Sequence, residues 1–208
     1  MTLSSSAHRS VREAASPRLR YGLFALLALI MAATRVNHFA AVPDASWAVF
    51  FAAGFYLNKE VRWAFPVLFL EAVLIDYLVI SGSGLSFWQH YCVSPAYWFL
   101  TVAYFAMWLG GAWLARQYRS PGMIELGLAI AAGFLAINLC YLISNGSFYW
   151  LSNSVPLPRS FDAWMKNLGD WYLPYLTTQG IYIGIGIALH AIAAQFVQLQ
   201  PGRTALPR

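Results

Sequence analysis

Apolar runs of roughly helical-span length alternate along the chain with short polar, glycine- or proline-containing phrases. The first run extends from about Tyr21 to Thr34, and its core from Leu23 to Ala33 carries no charge. The second, from about Ala45 to Leu57, follows Pro43 and Asp44, and Asp44 and Ser46 offer capping oxygens at its start. The third, from about Trp63 to Ile80, contains Pro66, Glu71 and Asp76 and stops at Ser81-Gly82-Ser83-Gly84. The fourth opens with Pro95, a residue suited to a first helical turn, and reaches about Ala115 before Arg116, Arg119 and Pro121-Gly122. The fifth runs from about Met123 to Ile143, where Ser144-Asn145-Gly146-Ser147 is expected to break it. A long loop over 148–170 leads to the sixth, from about Trp171 to Val197, with Pro174 near its start. A membrane-spanning helix needs about 20 apolar residues. The pattern therefore predicts an all-α integral membrane protein of six transmembrane helices over residues 20–197. Cytoplasmic tails of 1–19 and 198–208 flank it. The second run is short for a bilayer and implies a tilt or help from the preceding loop.

Composition sharpens this reading. Apolar residues make up 60% of the 208-residue chain and charged residues only 10%, with a mean hydropathy of +0.56. A soluble domain carries about 25% charged residues, so a water-facing shell cannot be built from these. A disordered chain and a coiled coil are excluded on the same ground. The net charge of +5 does not point to nucleic acid, because the basic residues form no stripe and fall at segment ends. The basic start, Arg9 to Arg20, resembles a signal-peptide n-region, but no clean small-x-small cleavage site follows. The first run is read as a retained span.

Basic residues also give orientation. With both termini inside, the inner side holds ten Lys and Arg, and the outer side holds Arg35, Arg159 and Lys166. That asymmetry follows the positive-inside rule and predicts that both ends are cytoplasmic. Inner connections are short, whereas outer ones are longer and rich in aromatics, as expected of a face that binds something. No internal repeat supports an inverted-repeat transporter. No phosphate loop, HExxH or nucleophile elbow is present.

Few residues offer chemistry. Cys92, in His90-Tyr91-Cys92-Val93-Ser94-Pro95, precedes the fourth span, and a helix N-terminus there is expected to favour its thiolate. A thiolate is a soft metal ligand and a nucleophile. The plain alternative is a small hydrophobe at a boundary. Cys140 lies within an apolar run and reads as core, and two cysteines so placed form no disulfide framework. His38 and His90 fall in outer loops, as ligand contacts or interfacial anchors, at spacings matching no zinc pattern. Glu71 and Asp76 are costly at membrane depth, and the spans supply no Lys or Arg to pair with them. Asp76, nearer the outer end, is the better candidate to line a cavity. Outer aromatics interleaved with Asp44, Tyr91, Tyr97 and Arg159 would suit a large amphiphile with ring and amide surfaces. An interfacial aromatic belt explains part of that enrichment without a ligand. Ala28 and Ala32 form a small-xxx-small face on the first span, suited to close helix packing.

Six spans, short inner loops and that alanine face resemble the substrate-binding component of an energy-coupling-factor (ECF) vitamin transporter. The phrases Val42-Pro43-Asp44-Ala45-Ser46 and Tyr91-Cys92-Val93-Ser94-Pro95-Ala96-Tyr97 resemble its proteobacterial cobalamin-binding branch, the BtuM family. The resemblance covers about residues 20–197. It implies cobalamin as the transported ligand, Cys92 as axial ligand to cobalt, and Tyr97 as a nearby polar aromatic. It also implies a membrane coupling subunit docked on Ala28 and Ala32, with two cytoplasmic ATPases, and removal of cyanide from cyanocobalamin. The competing readings are the same fold with another vitamin, an intramembrane enzyme acting on a lipid or quinone, and a structural subunit.

Overall fold

The computed structural model describes residues 17–36 and 44–198. Six α-helices make up the described chain: α1 Pro17–Arg35, α2 Ser46–Tyr56, α3 Val61–Gly82, α4 Leu100–Gln117, α5 Met123–Leu151 and α6 Phe161–Gln198. Short 3-10 turns occupy Asn58–Glu60, Phe87–Gln89 and Pro95–Phe99. Five helical segments among the described residues are long and apolar enough to cross a membrane, and α2, with 11 residues, is the shorter sixth. The architecture is that of an all-α multi-pass membrane protein. The exposed stripe Ile181, Ile185, Leu189, Ile192 and Phe196 on α6 would be untenable in water and is ordinary against lipid. Of the expected tail 1–19, Pro17–Leu19 belong to α1, and residues 1–16 and 199–208 lie outside the described residues.

The brevity of α2 has a packing cause. A helix apolar all round belongs in a core, and Trp47, Val49, Phe50, Phe51, Ala53 and Phe55 are all buried. Helix α2 packs against α1, α3, α4, α5 and α6. Its closest approach is to α4. A Cβ on Gly54 would overlap the carbonyl oxygen of Trp108, and one on Gly111 would overlap that of Phe51. Backbone meets backbone there, so neither helix can yield by moving a side chain. We expect Gly54→Ala and Gly111→Ala each to destabilise the bundle by about 1–3 kcal/mol. Gly127→Ala, where nothing lies within 4 Å of an added Cβ, should leave stability unchanged or raise it slightly. Thermal unfolding of the three variants in detergent reads the difference.

Two boundaries depart from the sequence expectation. The phrase Ser144-Asn145-Gly146-Ser147 does not break α5, which continues to Leu151. Helix α6 begins at Phe161 rather than Trp171, so Pro174 lies well inside it and the connection shrinks to 152–160. Local and tertiary partners satisfy the residues taken as breakers. Ser147 Oγ donates back to the Ser144 carbonyl at 3.0 Å, and Asn145 Nδ2 donates to Asn167 Oδ1 at 3.0 Å. A Cβ on Gly146 would stand 3.6 Å from the Trp164 ring. The contacts of Asn145 with Asn167 and Trp164 hold the first turns of α6 against α5.

Candidate functional site

The ends of α1, α3 and α5 and the beginnings of α2, α4 and α6 meet at one end of the bundle. Their side chains enclose a cavity of about 610 Å³, within the range of about 300–1,000 Å³ usual for small-molecule sites. Its floor is built on Arg35. Leu27, Met31 and Arg35 recur every four residues and are the buried positions of α1. That stripe carries the Arg35 guanidinium inward, where the residue is only 3% exposed.

Arg35 gathers four elements. Its Nε donates to Asp76 Oδ1 at 2.8 Å and its Nη2 to Asp76 Oδ2 at 2.6 Å, a two-pronged contact with α3. Its Nη1 is shared among Asp44 Oδ2 at 2.9 Å, Ser46 Oγ at 3.0 Å and Tyr104 Oη at 3.0 Å. The Tyr97 hydroxyl donates to Asp76 Oδ2 at 2.6 Å. Asp44 Oδ1 accepts from the Ser46 amide at 2.9 Å and from its hydroxyl at 2.6 Å. Gln179 of α6 donates to the Asp44 carbonyl at 2.8 Å. The sequence expectation that Asp76 lacks a basic partner is therefore corrected. Arg35, counted there as an outer-loop charge, is that partner, and the four-residue spacing from Leu27 and Met31 was the available signal.

Above this floor the walls are mixed. Cys92 and Tyr91 line one side, and the rings of Trp47, Trp171 and Tyr175 line others. Trp47 and Tyr175 stack with centroids 5.2 Å apart. Asn145, Asn167 and Thr178 add amide and hydroxyl groups. The Cys92 segment is tied at both flanks. Tyr97, in the 3-10 turn that follows, reaches Asp76, and the Tyr91 carbonyl accepts from Ser154 Oγ at 3.0 Å.

Of the residues singled out in the sequence, Asp44, Asp76, Tyr91, Cys92 and Tyr97 line this cavity. His90 stands beside it, its Nδ1 accepting the Cys92 amide at 3.4 Å. Arg159 is not in the lining. Its guanidinium is directed at the carbonyls of Trp150, Ser152 and Val155, where it organises the α5–α6 connection. His38 lies outside the described residues. Ala28 and Ala32 are half-buried on the margin of the inward stripe of α1, and Ala28 packs on the bundle's own core. Trp47, Tyr104 and Tyr175 carried no sequence signal beyond being aromatic in an apolar run, and Asn145 and Asn167 read only as a breaker and a loop residue.

The thiol differs from expectation. Cys92 lies three residues before the start of the 3-10 turn and eight before that of α4, beyond the first turn over which a helix terminus acts. Burial pushes its thiol above the ordinary cysteine range, against the opposing effect of its hydrogen bond with Tyr91. That same hydrogen bond, together with burial, pushes Tyr91 up to about 12. Without a ligand Cys92 is therefore protonated at neutral pH. We expect its alkylation by iodoacetamide to be slow at pH 7 and to rise only above the pH at which an exposed cysteine reacts. Mass spectrometry of tryptic peptides over a pH series measures this.

Among the described residues no three His, Cys, Asp or Glu side chains come together as a metal-binding group. In comparison with known proteins, no family model and no curated protein matches the chain.

Proposed function

We propose that this protein is the cobalamin-binding component of an ECF-type uptake system, taking the corrin at the outer side of a bacterial inner membrane. The observation that carries the proposal is Cys92 in the wall of an aromatic, amide-bearing cavity at one end of a membrane bundle. A corrin brings four nitrogen ligands to its cobalt, so a single protein sulfur completes the site and no three-ligand cluster is needed. Trp47, Tyr91, Trp171 and Tyr175 offer apolar faces to the ring.

Coordination to cobalt deprotonates a thiol outright. In cyanocobalamin the nucleotide-base nitrogen would leave the axial position opposite cyanide, the Cys92 sulfur would take its place on cobalt, and the cobalt–cyanide bond would then break. Cyanide leaves with the bonding pair and takes the thiol proton as HCN, with no change of oxidation state. Ala28 and Ala32, together with the lipid-exposed flank of α1, would receive the coupling subunit, which works with two ATPases. Positive-inside counting supports an outward-facing cavity.

Calorimetry with cobalamin, biotin, thiamine and riboflavin tests the reading. Cobalamin alone should bind. Binding of one of the other vitamins in its place would assign a different ligand to the same cavity.

A further inference from the structure

We infer, on the basis of the cobalamin reading, that the cavity selects the fully amidated corrin and rejects corrins with free carboxylates on the rim. Asn145 and Asn167 read a rim amide through its carbonyl oxygen.

The first ground is charge. Arg35, Asp44 and Asp76 are the charged side chains in the lining among the described residues, one guanidinium against two carboxyl groups. The guanidinium is already engaged by both, through its fork on Asp76 and through Nη1 on Asp44. No cation is left for a carboxylate on the ligand. Lys166 pairs with Asp170 at 2.7 Å, and Arg159 serves loop carbonyls.

The second ground is the direction of a hydrogen-bond chain. An indole N–H donates only. Trp164 Nε1 donates to Asn145 Oδ1 at 3.1 Å, which fixes that amide. Asn145 Nδ2 then donates to Asn167 Oδ1 at 3.0 Å. The chain ends on the Asn167 NH2 group, for which no described residue acts as acceptor, and Asn167 lines the cavity. Aligned donors polarise one another and strengthen the last N–H. Its complement is a neutral carbonyl oxygen. A carboxylate could accept the same bond, but it would be desolvated beside an anionic floor with no counterion. Replacing one rim amide by a carboxylate changes charge with almost no change of shape, so it isolates this effect.

The experiment compares cyanocobalamin with its separate monocarboxylate isomers, each with one rim amide hydrolysed, by spectral titration of the detergent-solubilised protein at pH 7. At least one isomer should bind about tenfold more weakly than the parent vitamin, the loss expected when a buried polar contact becomes unfavourable. The Asn167→Lys variant supplies a cation and should narrow that gap for the same isomer. Equal affinity of every isomer and the parent vitamin overturns the inference while leaving cobalamin as ligand. An unchanged gap in Asn167→Lys overturns the role given to Asn167. A protein that binds no corrinoid overturns the cobalamin reading, and the inference with it.

Discussion

Cys92→Ser protein mixed with cyanocobalamin should retain the visible spectrum of the free vitamin and release no cyanide, whereas the parent protein should shift the corrin bands and liberate HCN. Serine keeps the size of the side chain but offers a hard, far less acidic oxygen. Part of the affinity should persist, because the aromatic walls and amide groups of the cavity do not depend on sulfur. Cys140→Ser is the control. That residue is fully buried within α5 and packs in the hydrophobic core, so its replacement should leave spectrum and cyanide release as in the parent. Because burial holds Cys92 protonated before binding, the spectral change should develop as the thiol proton is lost and should accelerate with rising pH. A Cys92→Ser protein that shifts the spectrum and releases cyanide like the parent would eliminate sulfur ligation.

Arg35→Ala should be the most destabilising single substitution at the site. It leaves the Asp44 and Asp76 carboxyl groups facing each other's neighbourhood without their shared cation. Breaking a buried ion pair from one side typically costs about 3–5 kcal/mol. Arg35→Lys keeps the charge but loses the planar fork on Asp76, so it should recover part of that loss. The double variant Arg35→Met with Asp76→Asn should be less destabilised than Arg35→Ala, because one of the stranded charges is removed as well. Thermal melting in detergent orders the variants. An Arg35→Ala protein as stable as the parent would mean that the buried cluster does not hold α1 to α2, α3 and α4.

Much of this fold is legible in the sequence because bilayer-length apolar runs leave little choice. The first four runs agree with the helices to within a few residues, down to Pro95 opening the 3-10 turn that leads into α4. The misplaced boundaries share a cause. Ser144, Asn145 and Gly146 break helices by local propensity, yet here α6 supplies Asn167 and Trp164 as partners, and tertiary packing overrides propensity. Asp44, Asp76, Cys92 and Tyr97 could be singled out because polar or nucleophilic groups are scarce in such a chain. Their convergence through Arg35 could not, since Arg35 reads locally as a terminal charge at the end of a span. It becomes an interior residue only once α1 is packed on its partners. The hydrogen-bond chain from Trp164 through Asn145 to Asn167 joins residues of two helices and has no local signature.

The visible spectrum of the parent protein purified from cells supplied with cobalamin tests cobalamin binding most directly. The preparation should be red or orange, with corrin bands displaced from those of the free vitamin and about one corrin per chain. A colourless preparation that also fails to take up added cobalamin would contradict it.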